Sequence, residues 1–216
     1  MIRLTTEKIK NKNYNVVSLG YNCFPRTLLT RYGFKKRKAE GELTLPFDLA
    51  AFATKEITAS LRYDFNHFFE NLEYSGEYWV RQPDLIQFCH DKQFTKDDKE
   101  SLINKYRQRF KNFYKIVNDP SPLIFVQVLG NDEDVDNLYI QLRRLRQQKK
   151  FVFCVIDPYK LTKDTDSRIM ILQTTPPEGY YENWWKPSCY NQKISQEYEA
   201  EIINFCIDSL NNHLSA

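Results

Sequence analysis

From residue 119 onward the chain alternates between short runs that are apolar throughout and longer stretches with an apolar residue every three or four positions. Residues 123–128, 151–156 and 168–172 are runs of the first kind. Between them Val135, Leu138, Tyr139, Leu142 and Leu145 form the stripe of a helix, and Tyr198, Ile202, Phe205, Cys206 and Leu210 mark a final one. A strand that lacks polar alternation is buried on both faces, and strands that alternate with helices pair in parallel. The pattern therefore predicts an α/β fold: a mainly parallel central sheet between helical layers, three-layered and Rossmann-like.

Upstream, residues 14–19 read as a further buried strand, followed by a short helix with Leu28, Leu29 and Tyr32 on its apolar face and Gly33 at its stop. Pro46 is read as opening a second helix, with Asp48 in its first turn and Phe52, Ile57 and Leu61 inward. Residues 64–94 form an irregular, aromatic-rich insertion, with a short strand expected from Leu85 to Phe88. A clear helix follows Asp98, carrying Ile103, Tyr106, Phe110, Phe113 and Val117 at helical steps. Residues 174–194 are expected to be a long ordered loop in which Trp184 and Trp185 cap the sheet rather than line a groove.

At 216 residues the chain is expected to form one domain over residues 1–216. A net charge of +3 is too small to argue for nucleic acid. No apolar run approaches the ~18 residues that cross a bilayer, and the polar start from Met1 to Lys8 lacks a leader's apolar core. The expectation is a soluble, cytoplasmic protein that engages neither membrane nor nucleic acid; the sequence leaves its oligomeric state open. Cys23, Cys89, Cys154, Cys189 and Cys206 are odd in number and contain no C-x-x-C pair, which fits reduced thiols. No metal-ligand spacing and no organic cofactor motif is present, so neither metal nor cofactor is expected.

The segment from Val16 to Arg26 carries the chemistry. An apolar run ends in Gly20, Cys23 follows, and Pro25 starts a helix, which places a thiol at the top of a strand and the mouth of a helix. The N–H groups of a helix start favour negative charge, so the Cys23 pKa is expected to fall. A hydrolase also needs a base, a group that orients it and donors for an oxyanion. His90 is one of only three histidines; His67 reads as packing in the aromatic segment, and His213 lies in the tail. Asp48 or Asp91 would orient His90, with Asp48 favoured if His90 and Asp91 alternate along an extended strand. Asn22, or the N–H groups of Cys23 and Phe24, would meet an oxyanion. Arg26 would bind a substrate carboxylate or phosphate. Packing is the competing reading for the cysteine, and a helix-start acid for Asp48.

Three segments taken together, Ser18-Leu19-Gly20-x-Asn22-Cys23, Leu45-Pro46-Phe47-Asp48 and Phe88-x-His90-Asp91, resemble a bacterial domain family of unknown function catalogued as papain-like cysteine peptidases. Tyr106-Arg107-Gln108-Arg109 matches that family's arginine-bearing helix, and the likeness covers roughly residues 14 to 130. Leu49 stands where the family often has tryptophan, and Gln127 near a position often held by arginine. The resemblance implies a cysteine hydrolase with Cys23 as nucleophile and His90 as general base, acting on a peptide or other acyl substrate. A papain-like fold would place the nucleophile on a long helix against an antiparallel barrel, whereas the periodicity predicts a parallel sheet. Two other functions remain open at this point. One is a non-catalytic module holding an anionic small molecule, such as a nucleotide-sugar phosphate, at residues 20–26. The other is an interaction domain using the aromatic segment 65–79 and the basic helix faces; Lys35 to Lys38 form a basic hook read as a solvated turn.

Overall fold

The computed structural model describes residues 13–82, 86–130, 134–147, 149–163 and 165–215. In chain order the elements are β1 (Asn15–Gly20), α1 (Phe24–Arg31), α2 (Thr54–Arg62), β2 (Leu72–Tyr74), β3 (Trp79–Arg81), β4 (Ile86–Gln87) and α3 (Lys99–Asn118). There follow β5 (Leu123–Val128), α4 (Val135–Arg146), β6 (Phe151–Asp157), β7 (Met170–Gln173), α5 (Pro187–Tyr190) and α6 (Lys193–Ser215). The expected strand start at Leu85 and the polar amino terminus lie outside the described residues.

A four-stranded sheet in the order β1-β5-β6-β7 forms the centre, with every neighbouring pair parallel. Successive strand residues go to opposite faces, as pleating requires. Val17, Leu19, Phe125, Phe153 and Val155 join one core with side chains of α2, α3 and α4. Val16, Ile124, Val126, Cys154 and Ile156 join a second with α1 and α6. These are the helical layers that the doubly apolar strands predict. The barrel of a papain-like fold is not what carries Cys23, since its strand is parallel and its helix has eight residues.

The aromatic insertion builds a separate three-stranded antiparallel sheet, β2-β3-β4, beside the first core. Its rings interlock with α3: Phe65 stacks on Phe110 at 4.1 Å, and Phe68 packs edge-on to Phe88 and Phe110. Such pairs contribute about 0.5–1.5 kcal/mol each beyond their burial. Two expected elements are corrected: the loop expected over residues 174–194 carries the short helix α5, and the helix expected at Pro46 is absent. Pro46 opens no helix; α2 begins at Thr54, because Asp48 closes a turn on Leu45 instead. Its carboxylate accepts the Leu45 N–H at 2.8 Å and its own N–H donates to the Leu45 carbonyl. Aspartate offers the backbone this alternative to a helix.

Candidate active site

Cys23 is the residue before α1, just past the carboxyl end of β1, where open parallel sheets place their ligands. Added at Gly20, a Cβ would come within 2.1 Å of the Asn22 carbonyl oxygen, so only glycine lets the chain turn here. His90 arrives from the other sheet, 67 residues away, and its Nε2 lies 3.0 Å from Cys23 Sγ. Three backbone links bring them together. Phe52 N–H donates to the Tyr21 carbonyl, Ala51 pairs with Gln87 as an antiparallel bridge, and three residues beyond Gln87 stands His90. The two side chains are within direct proton-transfer range.

Burial pushes the Cys23 thiol up to about 11; the nearby Cys89 adds to this, and the Cys23 backbone N–H opposes it. This corrects the expected fall. A helix start favours an anion by about 0.3–1 kcal/mol, under one pK unit, whereas burial moves a group by several. At rest the sulfur therefore keeps its proton, and His90 Nε2 is the group within reach to accept it. Labelling of Cys23 by iodoacetamide is expected to rise about tenfold per pH unit from pH 7 to 9, followed by mass spectrometry of the intact chain. A rate already flat over that interval would mean a sulfur ionised in advance.

Neither aspartate has a described contact with His90. Asp48 is fully buried, and its oxygens are taken by Ser18 Oγ at 2.5 Å, the Leu45 N–H and Arg26 at 3.6 Å. Arg26 is thereby engaged within the fold and is not among the residues lining the cleft; it also donates to Thr30 Oγ1 and the Lys36 carbonyl. Asp91 lies in a turn after β4, not in a strand, so alternation does not apply. Its carboxylate accepts Lys105 Nζ at 2.6 Å, the Tyr106 hydroxyl at 3.0 Å and a two-pronged contact from Arg109 at 3.1 and 3.2 Å. Burial alone would raise its carboxyl; Arg109, Lys105 and Tyr106 together outweigh that and hold it below the usual range. Asp91 thus fixes the turn that presents His90. Asn22 Oδ1 accepts the Phe24 N–H at 2.8 Å, which removes that N–H from the oxyanion candidates. The same bond fixes the side-chain amide of Asn22, whose Nδ2 has no hydrogen-bond partner among the described residues and which lines the cleft beside Cys23.

The cleft has a volume of about 1020 Å³. Cys23, Asn22, Thr27, Leu49 and His90 line it, together with Arg31, Tyr181, Trp184, Trp185, Tyr190 and Glu199. Both tryptophans line this cleft, which corrects the expectation that they cap the sheet rather than line a groove. Trp184 is buried against Phe24, while Trp185 is 54% exposed. Glu199 went unnoticed in the sequence: an acid in the apolar stripe of α6 is its only mark. Its side chain is fully buried, yet only Oε1 is engaged, by Arg31 and by the Tyr180 hydroxyl at 2.6 Å; Oε2 has no hydrogen-bond partner among the described residues. A buried polar atom left unpaired costs about 1–3 kcal/mol.

Other residues are placed as follows. His67 is exposed, paired with Glu70, and not packed in the interior. Cys154 and Cys206 are buried in the second core. Lys35 is not part of a solvated hook: it is 2% exposed and donates to the Val16 carbonyl at 2.7 Å, with Glu42 at 2.8 Å. Gln127 is buried and donates to Thr54 Oγ1. No described helix is long and apolar enough to cross a membrane. Among the described residues no three or more His, Cys, Asp or Glu are grouped to hold a metal ion.

Fold and site together define an α/β domain with a cysteine–histidine pair at the mouth of its sheet. The chain belongs to the family described as "Putative papain-like cysteine peptidase", whose model matches residues 14–155. No curated protein and no solved structure matches it.

Proposed function

We propose that the protein is a thiol-dependent hydrolase that cleaves an amide or ester through an acyl–Cys23 intermediate. The observation that carries this reading is the 3.0 Å approach of His90 Nε2 to Cys23 Sγ at the wall of a cleft of about 1020 Å³. As the sulfur attacks the substrate carbonyl carbon, its proton passes to His90 Nε2. Asn22 Nδ2 donates to the oxyanion that forms. Collapse breaks the bond to the leaving group, which takes the proton back from His90. Water, deprotonated by His90, then releases the acid and returns the thiol.

The anion-binding alternative at residues 20–26 loses its cation, because Arg26 is committed to Asp48 and Thr30. The test uses p-nitrophenyl acetate. A burst of one p-nitrophenolate per chain is expected, with the acetyl group mapped by peptide mass spectrometry to Cys23. Acetylation spread over surface lysines, with none on Cys23, refutes the proposal.

A further inference from the structure

Along α1 the cleft changes character. Cys23, Thr27 and Arg31 are spaced by four residues and all line it, so Arg31 stands about 12 Å along the helix axis from the cysteine, at ~1.5 Å per residue. There the guanidinium donates to Glu199 Oε1 and the Trp184 carbonyl and lies over the Tyr190 ring at 4.1 Å. Tyr180 holds Oε1 as well, and the Tyr32 hydroxyl approaches the same carboxylate, whose charge and hydrogen-bonding capacity add to burial in suppressing its ionisation. Among the described residues no group, Tyr32 included, makes a hydrogen bond of full geometry to Glu199 Oε2, which is buried.

That oxygen can only accept, so a ligand that satisfies it must bring an N–H or O–H. The charge of Glu199 is already balanced by Arg31. A cationic group would meet the guanidinium, and an anionic group the carboxylate; an uncharged donor meets neither penalty. The rings of Trp184 and Tyr190, both beside Arg31, suit an apolar stem behind that donor. We propose that Arg31 and Glu199 form a subsite for an uncharged hydrogen-bond donor, a hydroxyl or a carboxamide, carried on the substrate about 12 Å from the bond attacked at Cys23. This deepens the hydrolase reading and rests on it for the reacting end alone.

The experiment uses chloroacetamides of graded linker length whose tails end in hydroxyl, carboxamide, methyl, carboxylate or trimethylammonium. Second-order labelling rates at Cys23 are read by mass spectrometry. At the best linker length the hydroxyl or carboxamide tail is expected to label at least about tenfold faster than the other three; whichever leads names the donor. In Glu199→Gln the amide oxygen keeps Arg31 and Tyr180 while an NH2 replaces Oε2, so the advantage should vanish or pass to the carboxylate tail. Equal rates for all tails in the unaltered protein overturn the proposal, whether or not that variant folds. Should Cys23 prove unreactive, the corresponding acetamides are ranked by the melting temperature of the unaltered protein. Hydroxyl or carboxamide tails raising it above the methyl tail would sustain the subsite while the hydrolase fails; no ranking overturns the subsite itself.

Discussion

Asp91→Ala is expected to destabilise the protein by about 3–5 kcal/mol, the usual cost of removing one member of a buried charge pair. Arg109 is 4% exposed and its guanidinium lies over the Tyr106 ring at 4.3 Å, so it cannot turn outward to water when its carboxylate is lost. Lys105 would be left facing the same uncompensated charge. For a chain of this size each kcal/mol moves the midpoint by about 2–4 °C, which places the expected drop near 10 °C, measured by circular dichroism. A drop under about 2 °C would mean that Asp91 is not the anchor its contacts describe. Arg109→Met in the Asp91→Ala background should recover part of the loss, because an apolar replacement of the whole pair avoids the stranded cation.

The pH dependence of this clamp has a definite sign. The Asp91 carboxyl is held below its ordinary value in the folded chain, so the unfolded chain takes up its proton first as pH falls. Stability from this group is full above about pH 4 and declines as acid approaches the lowered folded value. Asp91→Ala should therefore show a flatter loss of stability in acid than the unaltered protein. The turn also holds His90 through the Asp91 N–H to the Phe88 carbonyl and the Phe94 N–H to the Asp91 carbonyl. Loss of the clamp should slow Cys23 acylation as well.

The central sheet was legible because its strands are apolar on both faces and its helices are striped, both properties of the local sequence. Residues 123–128 fall where that pattern puts them. Pro46 misled for a local reason of its own: proline followed by an acid imitates a helix start, and only the bond from the Leu45 N–H shows that the acid closes a turn. The meeting of Cys23 with His90 depends on bonds at residues 51, 52 and 87, none of which marks itself in the sequence. The resemblance of three short segments carried what periodicity did not. Glu199 was illegible because its role depends on Arg31, 168 residues away. The direction of the Cys23 shift failed for the same reason, since the helix start is local while burial is set by the whole cleft.

Cys23→Ala should abolish the acyl adduct, and His90→Ala should slow its formation by about 10²–10⁴-fold, the range that a positioned general base supplies. The second value is the sharper test, because the thiol is protonated at rest and gains nothing from a partner that does not take its proton. Had the sulfur been ionised in advance, removing the imidazole would change its charge rather than a transfer step. His90 is exposed and, among the described residues, its ring has one hydrogen-bond contact, to Cys23, so His90→Ala should leave the melting temperature near that of the unaltered protein. Added imidazole should restore part of the rate in His90→Ala and none in Cys23→Ala, with p-nitrophenolate release as the readout. A His90→Ala protein that acylates at full speed would remove the base from the mechanism. A loss of rate matched by a loss of folding would instead assign His90 to the same structural turn as Asp91, and the contrast between the two variants separates these outcomes.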